Sequence, residues 1–339
     1  MFNKTTRLLK YPFIILFILL SFVWGFATII YTLDTLFLRY FFAGLFILNT
    51  IFVLVSLKIR LLQLKAFSSY LIFFSFLIMW FINLEPSNNR AWQKDVAKLS
   101  YATVEENIIN IYNIRNFNYK SETDYTPQYY NDSFDSNTLN GVDIICSYWM
   151  GPEIAHVFLS FSFEDKNNTN KHLAISIETR KEKNEEYSTI KGFFRQYELY
   201  YVVADERDLI GLRTNIRNNP KEDVYRYKIK GDIEDAKTLF LEYVKQINSL
   251  KERAQFYNTL TTNCTTTIWT NTFSNSSHLA FNWKILVSGF VPEYLFQNEK
   301  LQNESNKSFV ELQKDAYVNP LVKNSIIDEN FSSIIRVND

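Results

Sequence analysis

Three stretches of the chain carry no charged residue for about the length that an α-helix needs to cross roughly 30 Å of hydrocarbon: Tyr11 to Thr32, Tyr40 to Leu57 and Ala66 to Leu84. Each reads as a spanning helix. A cleaved signal peptide would account for the first alone, but no A-x-A site follows it and two further spans come next. Basic residues set the direction. Lys4, Arg7 and Lys10 precede the first span, and Lys58, Arg60 and Lys65 lie between the second and third, so those ends belong on the cytoplasmic side. The connection between the first two spans holds only Asp34 and Arg39, and the third span exits into Glu85-Pro86-Ser87-Asn88-Asn89. The expectation is a multi-pass protein of the inner (cytoplasmic) membrane with a cytoplasmic N-terminus, an anchor over residues 1–85, and everything from residue 86 onward facing outward.

With 339 residues, three spans leave about 250 for one folded domain of ordinary size. A composition of 47% hydrophobic and 17% aromatic residues supplies both a bilayer anchor and a packed core, which is inconsistent with disorder of the whole chain. Lys+Arg and Asp+Glu are both 36, so no net field draws the chain to nucleic acid, and that partner is dropped. The two cysteines, Cys146 and Cys264, form no CxxC pair, and the three histidines, His156, His172 and His278, show no HExxH spacing. Neither a disulfide framework nor a structural zinc site is indicated, and no cofactor is expected.

Beyond Ala91 the pattern turns to alternating and amphipathic segments without internal repeats. Val142 to Trp149 is a strand candidate. Ala155 to Phe163 alternates Val157, Leu159, Phe161 and Phe163 against His156, Phe158, Ser160 and Ser162, the period of a half-buried strand, and Leu173 to Thr179 follows as another. The polar run Glu164 to Asn170 between them reads as a turn, so the two strands should form an antiparallel hairpin. Ile175 and Ile177 then match the apolar face, while Ala174, Ser176 and Glu178 share the face of His156. A turn centred near Asn167 or Asn168 brings His156 and Glu178 together. Further strands are expected at Leu199 to Ala204 and Val224 to Ile229, and Asp232 to Leu250 has helical spacing with Asp232 as N-cap. The fold class is therefore α+β with a largely antiparallel sheet over residues 86–297. Asn303 to Lys307 reads as a loop, and residues 298–339 form a C-terminal extension. The aromatics of Gly289 to Phe296 fit either a segment that dips into the bilayer or one that packs on the domain.

One segment carries chemistry. In Asn258-Thr259-Leu260-Thr261-Thr262-Asn263-Cys264-Thr265, capping residues precede an apolar run, so Asn263 or Thr262 caps a helix whose first turn contains Cys264. The positive end of a helix favours a thiolate, which makes Cys264 a candidate nucleophile. His156 supplies a base and Glu178 an orienting carboxylate. The plain alternatives weigh against this on pattern alone: a lone cysteine is most often a small buried hydrophobe, and Cys146 lies inside the apolar strand Val142 to Trp149. A strand histidine is commonly a satisfied polar residue, and His172 at a turn and His278 in a Ser/Asn-rich loop fit simple exposure. The charged run Arg180 to Glu186 fits a solvated loop better than a head-group site.

The motifs Ser147-Tyr148-Trp149, Ala155-His156-Val157-Phe158-Leu159-Ser160-Phe161, Ile175-Ser176-Ile177-Glu178-Thr179-Arg180-Lys181-Glu182, Phe194-Arg195-Gln196-Tyr197-Glu198-Leu199, Ala204-Asp205-Glu206-Arg207-Asp208 and Thr262-Asn263-Cys264-Thr265-Thr266 resemble, in this order, the DUF4105 family, also called the Lnb N-terminal periplasmic domain. The likeness runs from about Asn88 to Trp283. It implies a membrane-bound thiol enzyme related to lipoprotein N-acyltransferases, with a domain in the periplasm. The order of His before Cys is similar to permuted papain-like folds of the NlpC/P60 and LRAT-like kind. The resemblance implies Cys264 as nucleophile and His156 as base; Glu178 matches a family motif, and its place as third member comes from the hairpin argument. Asn263, Thr265, Arg180 and Tyr148 are the candidates for substrate or oxyanion support. The implied partner is a membrane lipid or a lipoprotein. Two other readings stay open: a cysteine peptidase or amidase acting on cell-wall peptides, and a non-catalytic membrane-tethered binding module with a structural Cys264.

Overall fold

The computed structural model describes residues 4–59, 61–165, 170–323 and 327–337. The chain divides into two compact units, one of Met1–Pro86 with Ser188–Gln196, the other of Ser87–Tyr187 with Tyr197–Asp339.

The first unit consists of α1 (Lys4–Thr32), α2 (Leu36–Ser56) and α3 (Gln63–Ile82), each long and apolar enough to cross a membrane. Large side chains such as Phe13, Leu20, Phe37 and Leu48 stand exposed on the outside, as a lipid-facing surface requires. Inside, Phe46, Tyr70, Ala43, Ala66 and Leu77 pack together. A Cβ at Gly25 would lie 2.7 Å from the Phe46 ring, so glycine is what lets α1 approach α2. Tyr70 shares a 2.8 Å hydrogen bond with Ser21, satisfying two buried hydroxyls. Helix α2 starts at Leu36 rather than at Tyr40. Arg39 lies in its first turn and turns its guanidinium back onto the Leu33 carbonyl at 2.7 and 3.0 Å, so a charged residue there marks the rim of the span without ending the helix. Within the same unit Arg195 donates to the carbonyls of Phe81, Ile82 and Leu84, the open C-terminal end of α3.

The second unit is built on one sheet. Its strands are β1 (Tyr101–Glu105), β2 (Ile108–Arg115), β5 (Tyr129–Asp135), β6 (Leu139–Tyr148), β7 (Ala155–Glu164), β8 (Asn170–Arg180), β9 (Glu198–Ala204) and β10 (Asp223–Lys228); β3 (Asn118–Tyr119) and β4 (Tyr125–Thr126) form a separate small ribbon. The order is β1-β2-β9-β8-β7-β6-β10 with β5 beside β2, and only the short β2–β9 contact at Arg115 and Ala204 is parallel. On one face lie α5 (Ile233–Glu252), α6 (Cys264–Asn271), α7 (Trp283–Leu286) and α8 (Val291–Gln297), and Val157, Leu159, Phe161, Ile175 and Ile177 meet Phe240, Tyr243 and Val291 in the main core. On the other face Phe158, Ala174, Tyr200 and Val202 pack with α4 (Glu206–Gly211), α10 (Asn319–Val322) and α11 (Phe331–Ile334).

The mixed α and β architecture with its largely antiparallel sheet agrees with the alternation in the sequence. The expected turn at Asn167 or Asn168 lies outside the described residues; the ladder of β7 and β8 sets Glu164 opposite Asn170. Strands β1, β2 and β5 had no expectation attached. A bulge between Ile111 and Ile114, with Asn113 at φ +62°, breaks the alternation of β2, and in β5 only Phe134 is buried. Gly289 to Phe296 packs on the domain, with Val291 and Tyr294 buried. Residues after Gln297 join the same unit: α9 (Phe309–Asp315) leads to Val318, whose amide donates to Val224 of the edge strand β10 at 2.9 Å. Farther on, Arg336 reaches Asp143 and Glu206 at 2.7 and 2.6 Å, and these buried carboxylates find their countercharge in the tail. The charged run after Arg180 holds the N-terminal stretch of the unit, with Arg90 on Glu182 at 2.8 Å.

Candidate active site

Asn258 makes a tight turn by accepting from the amides of Leu260 and Thr261, and the chain then enters α6 through Asn263. The Asn263 carbonyl oxygen accepts from the Thr266 amide at 2.8 Å while the Thr266 hydroxyl accepts from the Asn263 amide at 3.1 Å, a reciprocal capping box. Cys264 is therefore the first residue of the helix, half-buried, with the amides of Cys264 and Thr265 heading it. Thr265 spends its hydroxyl on the Ile285 carbonyl at 2.6 Å, which pins α7 to α6.

His156, the candidate base, stands on β7. Backbone pairing of β7 with β8 ends at Leu159 and Ile175, and three residues beyond, the side chains of His156 and Glu178 fill the gap left between the strands. His156 Nε2 lies 2.7 Å from Ser176 Oγ and 3.0 Å from Glu178 Oε1, and Ser176 donates to the same oxygen at 2.8 Å. With Nε2 engaged there, Nδ1 is the ring nitrogen left for the sulfur. Burial opposes a charge on His156, but the Glu178 carboxylate and hydrogen bonding with Cys264 outweigh it and push the imidazole up to about 9. Burial likewise opposes the charge on Glu178, yet His156, Arg213 and Ser176 together hold its carboxyl well below the usual range. The imidazole and the carboxylate are thus both charged at neutral pH.

Arg213, Glu222 and Ser147 back this pair; Arg213 and Glu222 had no place in the sequence reading, and Ser147 stood there only as part of a motif, with no role. Arg213 sits in a π-helical stretch, Leu212–Ile216, that continues α4, and it donates to Glu178 Oε1 at 3.0 Å and to the Leu209 carbonyl at 2.9 Å. Its guanidinium also lies over the Phe158 ring at 5.1 Å. Glu222 stands 3.6 Å from Arg213 and accepts from Ser147 and from Arg217. An arginine set among Leu209, Ile210 and Leu212 was the one signal available, because a cation in an apolar run needs a buried partner.

Burial pushes the hydroxyls of Tyr243 and Tyr257 up, and charge on the nearby Cys264 adds to both, so these two hydroxyls stay neutral. Cys146 is buried in β6, with its thiol pushed up by burial first and then by Cys264; both cysteines are free. Two of the expected supporting residues have other contacts. Arg180 is buried, donates to the Val96 and Ala97 carbonyls at 3.0 Å, and stacks over Trp92 at 4.2 Å. Tyr148 donates to the Gly289 carbonyl at 2.8 Å. His172 pairs with Ser162 and His278 with Thr272, both away from Glu178. Among the described residues no group of three or more His, Cys, Asp or Glu side chains gathers to hold a metal ion.

No curated protein and no solved structure matches the chain. A family model does, over residues 125–288, a range that holds Cys264, His156 and Glu178 together with Ser176, Arg213 and Glu222. The match starts later than the likeness noted from Asn88 and ends just past Trp283. Residues 125–288, with the strands and the helix that meet at this site, match the model of the Lnb N-terminal periplasmic domain family.

Proposed function

We propose that this chain is a membrane-anchored thiol acyltransferase whose domain works on the periplasmic side of the inner membrane, on an acyl group of a lipid or lipoprotein. The observation that carries the reading is the meeting of Cys264, at the head of a capped helix, with a His156 that Glu178 keeps charged. Nucleophile helix after strand-borne histidine is the order of a permuted papain-like enzyme. In the first half-reaction the sulfur attacks an ester carbonyl: the C–S bond forms, the ester C–O bond breaks, and the alcohol leaves with a proton from His156. In the second an amine attacks the thioester: the C–N bond forms, the C–S bond breaks, and His156 takes the amine proton while the thiolate is restored. An amine held beside the thioester outcompetes water through its effective concentration, which separates transfer from hydrolysis. The amides of Cys264 and Thr265 are the donors available to an oxyanion. Three spanning helices on the same chain fit a substrate that never leaves the bilayer.

The test is intact-mass analysis of lipoproteins from cells carrying the wild-type chain, Cys264→Ala or His156→Ala. A change of one acyl chain, or of its position, in both variants supports transfer. Identical lipoproteins overturn it, and release of cell-wall peptides by the wild type alone would then identify a peptidase or amidase.

A further inference from the structure

A half-open cleft of about 480 Å³ lies where β6 passes into β7, and neither Cys264 nor His156 lines it. Tyr148, Trp149, Tyr225, Phe290 and Phe309 give it aromatic walls, with Met150 and Pro152 beside them. Four of these rings are held by neighbours: Tyr148 meets Tyr225 edge-on at 5.5 Å, Phe290 meets Trp283 at 5.5 Å, and Phe309 stacks on Tyr227 at 6.5 Å. The fifth is idle. Trp149 is partly exposed, and among the described residues it makes no ring contact and its indole N–H finds no acceptor. The polar side chains of the cleft balance in charge: Lys221 and Asp223 line it together, and Glu293 is paired with Lys284 at 3.0 Å. A charged ligand therefore meets no excess of opposite charge to offset its desolvation. An extended peptide is poorly served as well, because the outer edge of β10 is already taken: the Arg226 amide donates to the Ala316 carbonyl at 2.8 Å and the Val318 amide to the Val224 carbonyl at 2.9 Å. What fits is a neutral ring with apolar faces and hydroxyls around its rim. The C–H faces of a pyranose lie flat on aromatic rings, and its hydroxyls both donate and accept, which suits the Asp223 and Glu293 carboxylates, the Gln313 amide, the indole N–H and the Lys221 ammonium.

We infer that this cleft is a binding site for a neutral carbohydrate, with the Trp149 ring as its stacking platform. Across the β6–β7 ladder Ser147 pairs with His156 and Tyr148 with Ala155, so a glycan held in the cleft sits at the end of the strands that carries His156. Its binding needs no reaction at Cys264. The experiment titrates the full-length protein in nanodiscs with N,N′,N″-triacetylchitotriose and with maltotriose, and reads binding by calorimetry and by saturation transfer to the sugar protons. At least one of these sugars should bind the wild type, and Trp149→Ala should weaken that binding about ten-fold or more at an unchanged melting temperature. Should Trp149→Ala lower the melting temperature, Lys221→Ala, at an exposed residue of the same cleft, is read in its place, with an expected loss of about three-fold or more. Failure of both sugars to bind the wild type, equal binding in the folded variants, or binding of tetramethylammonium or trialanine in place of the sugars overturns the inference.

Discussion

Arg213 and His156 meet at a single oxygen: Oε1 of Glu178 lies 3.0 Å from the guanidinium on one side and 3.0 Å from the imidazole on the other. Two cations on one carboxylate hold it ionised and fix its direction, and a fixed carboxylate in turn holds the imidazole against rotation.

Removing the charge of Glu178 should therefore be felt at His156. In Glu178→Gln the carboxylate no longer raises the imidazole and burial remains, so the His156 pKa falls from about 9. NMR titration of histidine-labelled protein measures this directly, since there are only three histidines. Acylation by the variant should drop about 10²-fold or more. An unmoved titration would remove Glu178 from its place behind the base.

The same pair makes stability depend on pH in a defined window. The contribution of His156, whose folded pKa is raised from 6.5, is complete below 6.5 and fades as pH climbs through about 9. That of Glu178, whose folded value is depressed from 4.5, is complete above 4.5 and fades as pH falls through the depressed value. The melting temperature of the wild type relative to His156→Gln should be highest between those limits and converge above about pH 9.

Asn263→Ala should destabilise the protein by about 1 kcal/mol, because one oxygen caps α6 by accepting from the Thr266 amide. A helix start that frays carries Cys264 with it. The rate of iodoacetamide labelling at Cys264 should fall in this variant, whereas Cys146, buried in β6, stays unlabelled in wild type and variant alike.

Gly289→Ala tests the brace behind His156. A Cβ there would lie 2.0 Å from the Pro152 carbonyl oxygen, so the backbone must move, at about 1–3 kcal/mol. The neighbouring Ser288 hydroxyl accepts from the Ala155 amide at 3.0 Å, at the first residue of β7, so the movement reaches the strand that bears His156. Thermal melting and the His156 titration should shift together.

What could be read from the residues was local. The alternation of Ala155 to Phe163 and the polar turn after it pointed to a register, and that register, carried three residues past its last pair Leu159 and Ile175, leads to the side-chain contact of His156 with Glu178. Asn263 before Cys264 announced the helix start through capping chemistry alone. Arg213, Glu222 and the role of Ser147 escaped because their partners lie far along the chain and nothing in spacing couples them. The strands near residues 101–135 escaped because a bulge and a polar face erase the period on which such reading depends. The tail escaped for a third reason: Arg336 looks like any surface arginine until Asp143 and Glu206 are seen buried beneath it.

The boundary between the two units cuts the chain after Pro86, after Tyr187 and after Gln196. Deleting the spanning helices at residue 86 is thus not a clean amputation. It leaves Ser188–Gln196 orphaned in the joint between β8, which bears Glu178, and β9, with Arg195 stripped of the carbonyls it serves. A truncated domain is for that reason a different molecule, and a silent one would say little about the full chain.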